Sequence, residues 1–315
     1  MKAVVVTGFG TRPKLVDLPT PEPGAGEILV RIHAAGVNPF DWKVTDGALK
    51  DSVTHTFPLV MGSDAAGVVE RTGPGVTRFH PGDRVYGQFM RLPQGQGSYA
   101  EYTVTEQDGK IALIPEALPF TLAAALPTAS VTAYQAVQAA RLAAGHTLLI
   151  NGASGGVGQS AIQFAAGFGA RVLATGTSEV ADHLRDLGAD TVIDFTRAPA
   201  HEQVAAAHPD GIDAVIDLVT PTGGDISPMA GLLRAGATLV STNYATDPDA
   251  LAALGILGVN LGNRPNVETL TTLAELAAIG ELRVRIDAEV PLADAPALID
   301  KARAGHATGK SVIVP

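Results

Sequence analysis

The residues with the most chemical promise are a run of glycines, Asn151-Gly152-Ala153-Ser154-Gly155-Gly156-Val157-Gly158. Glycines let a chain turn sharply and come close to a pyrophosphate, which the free N–H groups of a helix N-terminus then hold. Gly155, Gly156 and Val157 would offer those amides. The spacing of Gly152, Gly155 and Gly158 departs from G-x-G-x-x-G, and a plain tight turn explains the run about as well. The same residues fit G-x-S-x-G, the elbow that exposes a serine nucleophile between strand and helix. On that reading Ser154 serves a hydrolase, with Asp217 and His306 following in the chain order serine, acid, histidine.

The flanking sequence supplies the elements either reading needs. Thr147-Leu148-Leu149-Ile150 is the short apolar run of a buried parallel strand. Val157, Ala161, Phe164, Ala165 and Phe168 fall at helical spacing just after the turn. Alternation then continues, with strands predicted at 171–175, 191–193, 214–217 and 237–241, helices at 180–187 and 201–208, and a helix end at 231–235. Such a series predicts a parallel, doubly wound sheet with right-handed crossovers. Residues 1 to about 115 read differently. Short apolar runs at 28–30, 66–69 and 84–86 alternate with Pro/Gly turns, which predicts an irregular β-rich barrel. Helical stretches follow at 122–126 and 131–142. Beyond Asn266-Val267 a helix at 270–279 precedes strand-like pieces at 284–286 and 311–314, and this tail is expected to return to the N-terminal domain. The domain reading is therefore 1–117 with 266–315, and an inserted 118–265.

Composition narrows the function classes. Hydrophobic residues at 46% against 17% charged allow a substantial core and argue against disorder. No apolar run reaches the length of a membrane span. A net charge of −10 disfavours nucleic acid and anionic membranes as partners. Cysteine is absent, which removes disulfides, thiol catalysis and every zinc site built on thiolates. The first residues read as a strand rather than a signal peptide, so a cytoplasmic protein is expected.

Seven segments, in order along the whole chain, then carry a family likeness. They are Gly36-Val37-Asn38-Pro39-Phe40-Asp41, Gly62-Ser63-Asp64-Ala65-Ala66-Gly67-Val68-Val69, Phe79-His80-Pro81-Gly82-Asp83-Arg84-Val85, Gly97-Ser98-Tyr99-Ala100-Glu101-Tyr102, Thr132-Ala133-Tyr134, Gly155-Gly156-Val157-Gly158 and Gly309-Lys310-Ser311-Val312. The chain resembles the zinc-independent quinone oxidoreductases of the ζ-crystallin type, within the medium-chain dehydrogenase/reductase superfamily. That resemblance implies an α/β protein: a GroES-like β-rich catalytic domain, an inserted Rossmann domain and an active site in the cleft between them. It also implies hydride transfer from NADPH to a small-molecule quinone or to the activated C=C bond of an enone or enal.

Site residues follow from the same likeness. In zinc-dependent relatives a Cys and a His occupy the positions that match Asn38 and Ser63, so no metal is expected. A quinone or enone delocalises the incoming charge without a Lewis acid. Asn38 is expected to line the nicotinamide side of the cleft, although an Asx turn is its bland reading. Asp41 either orients a substrate group or caps Trp42-Lys43-Val44 as a helix N-cap. Trp42 reads as a packing residue. Tyr86, Tyr99 and Tyr134 offer hydroxyl protons, with solvent as the other source. Thr132 lies near the nicotinamide or bonds its own helix backbone.

The second strand ends in Gly176-Thr177-Ser178 with no carboxylate at its tip, leaving room for a 2′-phosphate and favouring NADPH over NADH. Val180 stands where NADPH-preferring relatives often have Lys; Arg197 substitutes for it or is a solvated loop residue. Val219 and Thr242 follow the fourth and fifth strands at their ligand-binding ends. Lys310 reaches a cofactor phosphate or is an exposed loop lysine. Family likeness further suggests a homodimer through strand 237–241, with loops 88–96 and 254–263 shaping the substrate pocket. Two other functions compete: the Ser154 hydrolase, and a non-catalytic NADPH-binding protein.

Overall fold

In the computed structural model, which describes residues 1–305 and 308–315, the chain divides into two compact units. One comprises Met1–Thr128 and Pro265–Pro315, the other Ala129–Arg264.

Residues 129–264 form a six-stranded sheet of β1 (Thr147–Asn151), β2 (Arg171–Thr175), β3 (Thr191–Ile193), β4 (Ile212–Asp217), β5 (Leu233–Ser241) and β6 (Leu257–Asn260). Its order is β3-β2-β1-β4-β5-β6 and every pairing is parallel. The near-continuous apolar strands are explained by helices on both faces. Leu148 and Ile150 pack with Ala161, Ile162 and Ala165 of the helix Gly156–Gly167 on one face. Leu149 packs with Val204, Val215 and Met229 on the other. Each fully buried aliphatic side chain contributes on the order of 2 kcal/mol. The order reverses direction between β1 and β4, so the ligand-binding crevice of this architecture lies at their carboxyl ends, beside Asn151 and Asp217.

Three expectations for this unit need correction. The helix end expected at 231–235 lies earlier: the helix is Ser227–Ala230, and β5 begins at Leu233. The register between β4 and β5 jumps from Ile212 opposite Leu233 to Ala214 opposite Thr238, so β5 holds a bulge of extra residues that breaks its alternation. Strand 237–241 is also not the sheet edge, because β6 pairs outside it. The segment expected to be a loop at 254–263 contains that strand. It is half-buried throughout, and Gly258 interrupts its short apolar run, which hides the strand pattern.

The other unit resolves into two sheets rather than one barrel. Lys14–Asp17, Lys2–Val6 and Leu59–Val60 form an antiparallel three-stranded sheet. The larger sheet is ordered Ile286–Pro291, Lys310–Val314, Glu27–Gly36, Asp64–Thr72, Arg84–Gln88, Ile111–Leu113, with Tyr102–Glu106 also paired to Glu27–Gly36. The C-terminal strand Lys310–Val314 runs antiparallel to Glu27–Gly36. Between the last two strands lies a helix, Ala295–Arg303, that the sequence pattern did not reveal; Ala295, Leu298 and Ile299 form its buried stripe. Among the described residues no helix is long and apolar enough to cross a membrane.

Candidate functional site

Two groups of candidate residues are built in opposite ways. The first is the turn that links β1 to the helix Gly156–Gly167. Gly152 sits at φ +92°, in the left-handed region, and its N–H donates to Thr175 Oγ1 at 2.8 Å. A Cβ on Gly158 would lie 2.5 Å from Ala153 Cα, so only glycine lets helix and strand approach this closely. Gly155 differs. As N-cap it has φ −77° and ψ 170°, open to any residue, and an added Cβ would meet only Gly152 O at 3.8 Å. No side chain caps this helix. The fold thus exacts glycine at 152 and 158 but leaves space in front of Gly155, whose N–H turns back weakly to Gly152 O at 3.4 Å, at the start of a helix that no side chain caps. Turn, close approach and helix packing are the three roles that glycines fill in dinucleotide sites, here at a spacing one residue longer at the start. The turn therefore fits a nicotinamide dinucleotide, held by its diphosphate.

Around the turn the expected residues divide. Gly176 is explained by packing, since a Cβ there would stand 2.7 Å from Leu184 Cδ1, and its N–H donates to Ile193 O. Thr177 is half-buried and Ser178 exposed, just past β2. Glu179 is exposed ahead of the next helix, whose N-cap is Val180; that valine is buried in the core. Arg197 pairs with Asp194 at 3.3 Å on its own loop. Val219 is 57% exposed, and Thr242 half-buried, at the carboxyl ends of β4 and β5. Thr132 is buried and its hydroxyl meets Asn263 Nδ2 at 2.9 Å, a partner far along the chain. Tyr244 was missed by sequence reasoning. It lies just beyond β5, exposed, at φ +57°, and a non-glycine residue in that region was the signal only coordinates reveal.

The acid of the hydrolase reading is committed elsewhere. Asp217 accepts from Asn151 Nδ2 at 2.7 Å and from Thr220 N at 3.0 Å. Its histidine, His306, lies outside the described residues.

The second group surrounds Asn38 in the other unit. The strand Glu27–Gly36 delivers Asn38 as N-cap of the helix Pro39–Thr45, with Pro39 opening the first turn. Asp41, the third helical residue, reaches back to accept Asn38 N–H at 2.8 Å. It is therefore not the N-cap of Trp42-Lys43-Val44; the helix starts earlier than the apolar pattern suggested. Asp41 also accepts from Ser63 N at 2.9 Å and Tyr99 Oη at 2.6 Å. Asn38 turns its side chain the other way. Its Oδ1 accepts from Lys310 Nζ, and its Nδ2 donates to Asp64 Oδ2 at 2.9 Å. Asp64 further accepts from Thr128 N at 2.8 Å and Thr128 Oγ1 at 2.7 Å, and Lys310 also donates to Val37 O at 2.8 Å.

This network is closed. Asn38 is only 2% exposed, Lys310 5%, and Asp41, Asp64 and Tyr99 not at all. Lys310 is thus neither an exposed loop lysine nor a group extended toward a phosphate; it opens a strand with its ammonium turned inward. Burial pushes the Asp41 carboxyl up to about 7; the Tyr99 hydroxyl opposes this, the Asp64 charge adds to it, and Asn38 N–H and Lys310 oppose it. Burial raises Asp64 as well, against the pull of Lys310, Thr128 and Asn38. Lys310 is lowered by burial and partly restored by both carboxylates. Burial and the Asp41 charge hold Tyr99 well above the usual phenol range. Two carboxylates face one ammonium, so the cluster favours keeping one proton.

Zinc does not fit here. Positions 38 and 63 hold an amide and a hydroxyl, both carboxylates already accept three donors each, and an ammonium sits among them. Among the described residues no group of three or more His, Cys, Asp or Glu could hold a metal ion. Of the remaining candidate acids, Tyr86 donates its hydroxyl to Leu270 O, while Tyr134 is placed by its ring, which packs edge-on against Phe164. Trp42 packs against the core of its unit.

A β-rich unit interrupted by a β3-β2-β1-β4-β5-β6 sheet with a glycine turn after β1 is the build of a medium-chain dehydrogenase/reductase. The alcohol dehydrogenase GroES-like domain family matches residues 24–116, and the zinc-binding dehydrogenase family residues 187–313. Chloroplastic quinone-oxidoreductase QR1 of Triphysaria versicolor is 33% identical, covering 100% of this chain and 98% of its own. The chloroplastic NADPH-dependent alkenal/one oxidoreductase of Arabidopsis thaliana is 31% identical over 100% of this chain and 80% of its own. The solved quinone oxidoreductase of Coxiella burnetii superposes with a TM-score of 0.88, at 32% identity over 100% of this chain and 99% of that one. The chain belongs to the quinone oxidoreductase family of this superfamily, and it is an oxidoreductase.

Proposed function

We propose that this protein is an NADPH-dependent reductase that delivers hydride, without zinc, to a quinone or to the activated C=C bond of an enone or enal. The observation that carries this reading is Gly155: neither backbone angle nor packing demands glycine there, and the space kept free adjoins uncapped amides. When bound, the cofactor supplies the hydride. The chain's own part is to seat the diphosphate on the amides of Gly155, Gly156 and Val157, with Thr177 and Ser178 as hydroxyl donors at the 2′-phosphate end. The absence of a carboxylate at the tip of β2 supports NADPH over NADH, and so does the similarity to the NADPH-dependent alkenal/one oxidoreductase of Arabidopsis thaliana.

Asn38 and Asp41 act in this reading as positioning residues, fixing the loop after Gly36 rather than touching the reacting carbon. With Tyr86 and Tyr99 committed to buried acceptors, the proton that completes reduction comes from solvent. A homodimer would form through the half-buried edge strand β6 rather than through β5.

The test is a steady-state screen of NADPH and NADH, each against 1,4-benzoquinone, 9,10-phenanthrenequinone, an enal and an enone. Oxidation of NADPH with at least one acceptor, faster than NADH, is the expected result. Tight NADPH binding with no consumption by any acceptor would leave the non-catalytic binder standing and remove this proposal.

A further inference from the structure

At the opposite, amino ends of the strands of residues 129–264 lies a recess of ≈ 350 Å³ lined by Arg141, His146, Asp213, Arg234, Thr238 and Leu257, among others. Three departures from regular structure meet there. The helix Pro127–Ala139 is followed by Arg141 at φ +52°, a left-handed position that at helix ends is usually glycine. The bulge in β5, which separates Leu233 from Thr238 in the ladder, throws Arg234 to Ala237 out as one wall. His146 and Asp213 stand at the starts of β1 and β4.

The charges in the recess do not cancel. Asp213 accepts from Thr147 N at 2.8 Å, pairs with the Arg234 guanidinium, and has His146 Nε2 at 3.8 Å. Arg234 therefore balances Asp213, while no carboxylate among the described residues pairs with Arg141. A positive excess remains in a chain whose net charge is −10. Guanidinium groups present planar pairs of N–H donors that match the oxygens of phosphate and carboxylate. A non-glycine residue in a strained backbone position is a reason to look for function. Arg141 joins that strain to an unbalanced charge at the rim of a cavity.

We infer that this recess binds a small molecule through an oxyanion group, phosphate or carboxylate, held between Arg141 and Arg234. The site is separate from the glycine turn and does not depend on the proposed reaction. Calorimetric titration with inorganic phosphate and, separately, acetate tests it on the wild type, Arg141→Ala and Arg141→Gly. The wild type should bind at least one of the two saturably, and both variants should bind it at least tenfold more weakly. Ligand-free Arg141→Gly should melt higher than the wild type, because glycine relieves the left-handed backbone while removing the donor. Saturating NADP⁺ should leave the anion in place, since it would displace one seated on the glycine turn. Absence of saturable binding in the wild type, undiminished binding in both variants, or displacement by NADP⁺ would each overturn the inference.

Discussion

The glycine turn and the Asn38 cluster both centre on the start of a helix, yet they solve opposite problems. The turn is made of backbone: amides without a side-chain cap, space at Gly155, and one buried threonine beneath Gly152. The cluster is made of charge: two carboxylates, an ammonium and an amide that hold one another out of water. A site left open awaits a ligand; a site closed on itself sets the shape of its surroundings. The contrast teaches that the residues richest in chemical groups are not those best placed to touch a substrate.

If the cluster is structural, breaking it should cost the most. Lys310→Met removes the ammonium facing Asp41 and Asp64 and should lower unfolding free energy by about 3–5 kcal/mol, as for other broken buried charge sets. Urea denaturation measures it. A loss below about 1 kcal/mol would mean that the ammonium is not what stabilises the cluster.

The pH dependence sharpens the same point. Asp41 is raised by burial to about 7 from an ordinary 3.8, so between these values the folded chain binds more protons than the unfolded one. Its contribution is full below the ordinary value and is lost as pH rises through about 7, by at most roughly 1.4 kcal/mol per pH unit. Asp64, also raised, acts in the same direction; Lys310, lowered, contributes above the ordinary lysine range and loses that contribution as pH falls through its depressed value. The stability difference between wild type and Asp41→Asn should therefore shrink from pH 4 to pH 7. A difference that stays level across that window would show that Asp41 ionises normally. Asn at this position should still be less stable at acid pH, because Asn38 N, Ser63 N and Tyr99 Oη all donate to it.

Within the turn, two glycines should part company. Gly158→Ala puts a methyl group 2.5 Å from the Ala153 backbone and should destabilise by about 1–3 kcal/mol. Gly155→Ala should change stability by less than about 0.5 kcal/mol, yet weaken NADPH binding about tenfold or more by filling the space a diphosphate needs. Thermal melts and quenching of NADPH fluorescence separate the two effects. Equal NADPH affinity in Gly155→Ala and wild type would refute the open-cradle reading.

What could be seen in the sequence follows the same division. The strand, turn and helix from Thr147 to Gly167 are contiguous, so apolar runs and glycine spacing disclosed them. The Asn38 cluster joins residues up to 273 positions apart, and no local pattern announces that. A partial signal existed: Lys310 and Val312 share one buried face of the last strand, so two-residue periodicity would have turned the lysine inward. The strand β6 was hidden by Gly258 and by half-burial at an edge, and the bulge in β5 by extra residues that break alternation. In each case tertiary packing overrode the local period.

One threonine in each region separates the turn from the cluster further. Thr175→Val keeps the shape of a buried side chain but deprives Gly152 N–H of its acceptor beneath the turn. An orphaned buried donor costs about 1–3 kcal/mol, and the turn should lose NADPH affinity along with stability. Thr128→Val removes one of three donors to Asp64, while Thr128 N and Asn38 Nδ2 continue to hold the carboxylate. It also leaves Gln88 Nε2 without that hydroxyl, so a loss of about 1 kcal/mol is expected, with NADPH affinity unchanged. Measured together by urea denaturation and fluorescence titration, the pair asks whether cofactor grip depends on the turn alone. A fall in affinity in Thr128→Val as large as in Thr175→Val would show that the closed cluster and the open turn are energetically one site.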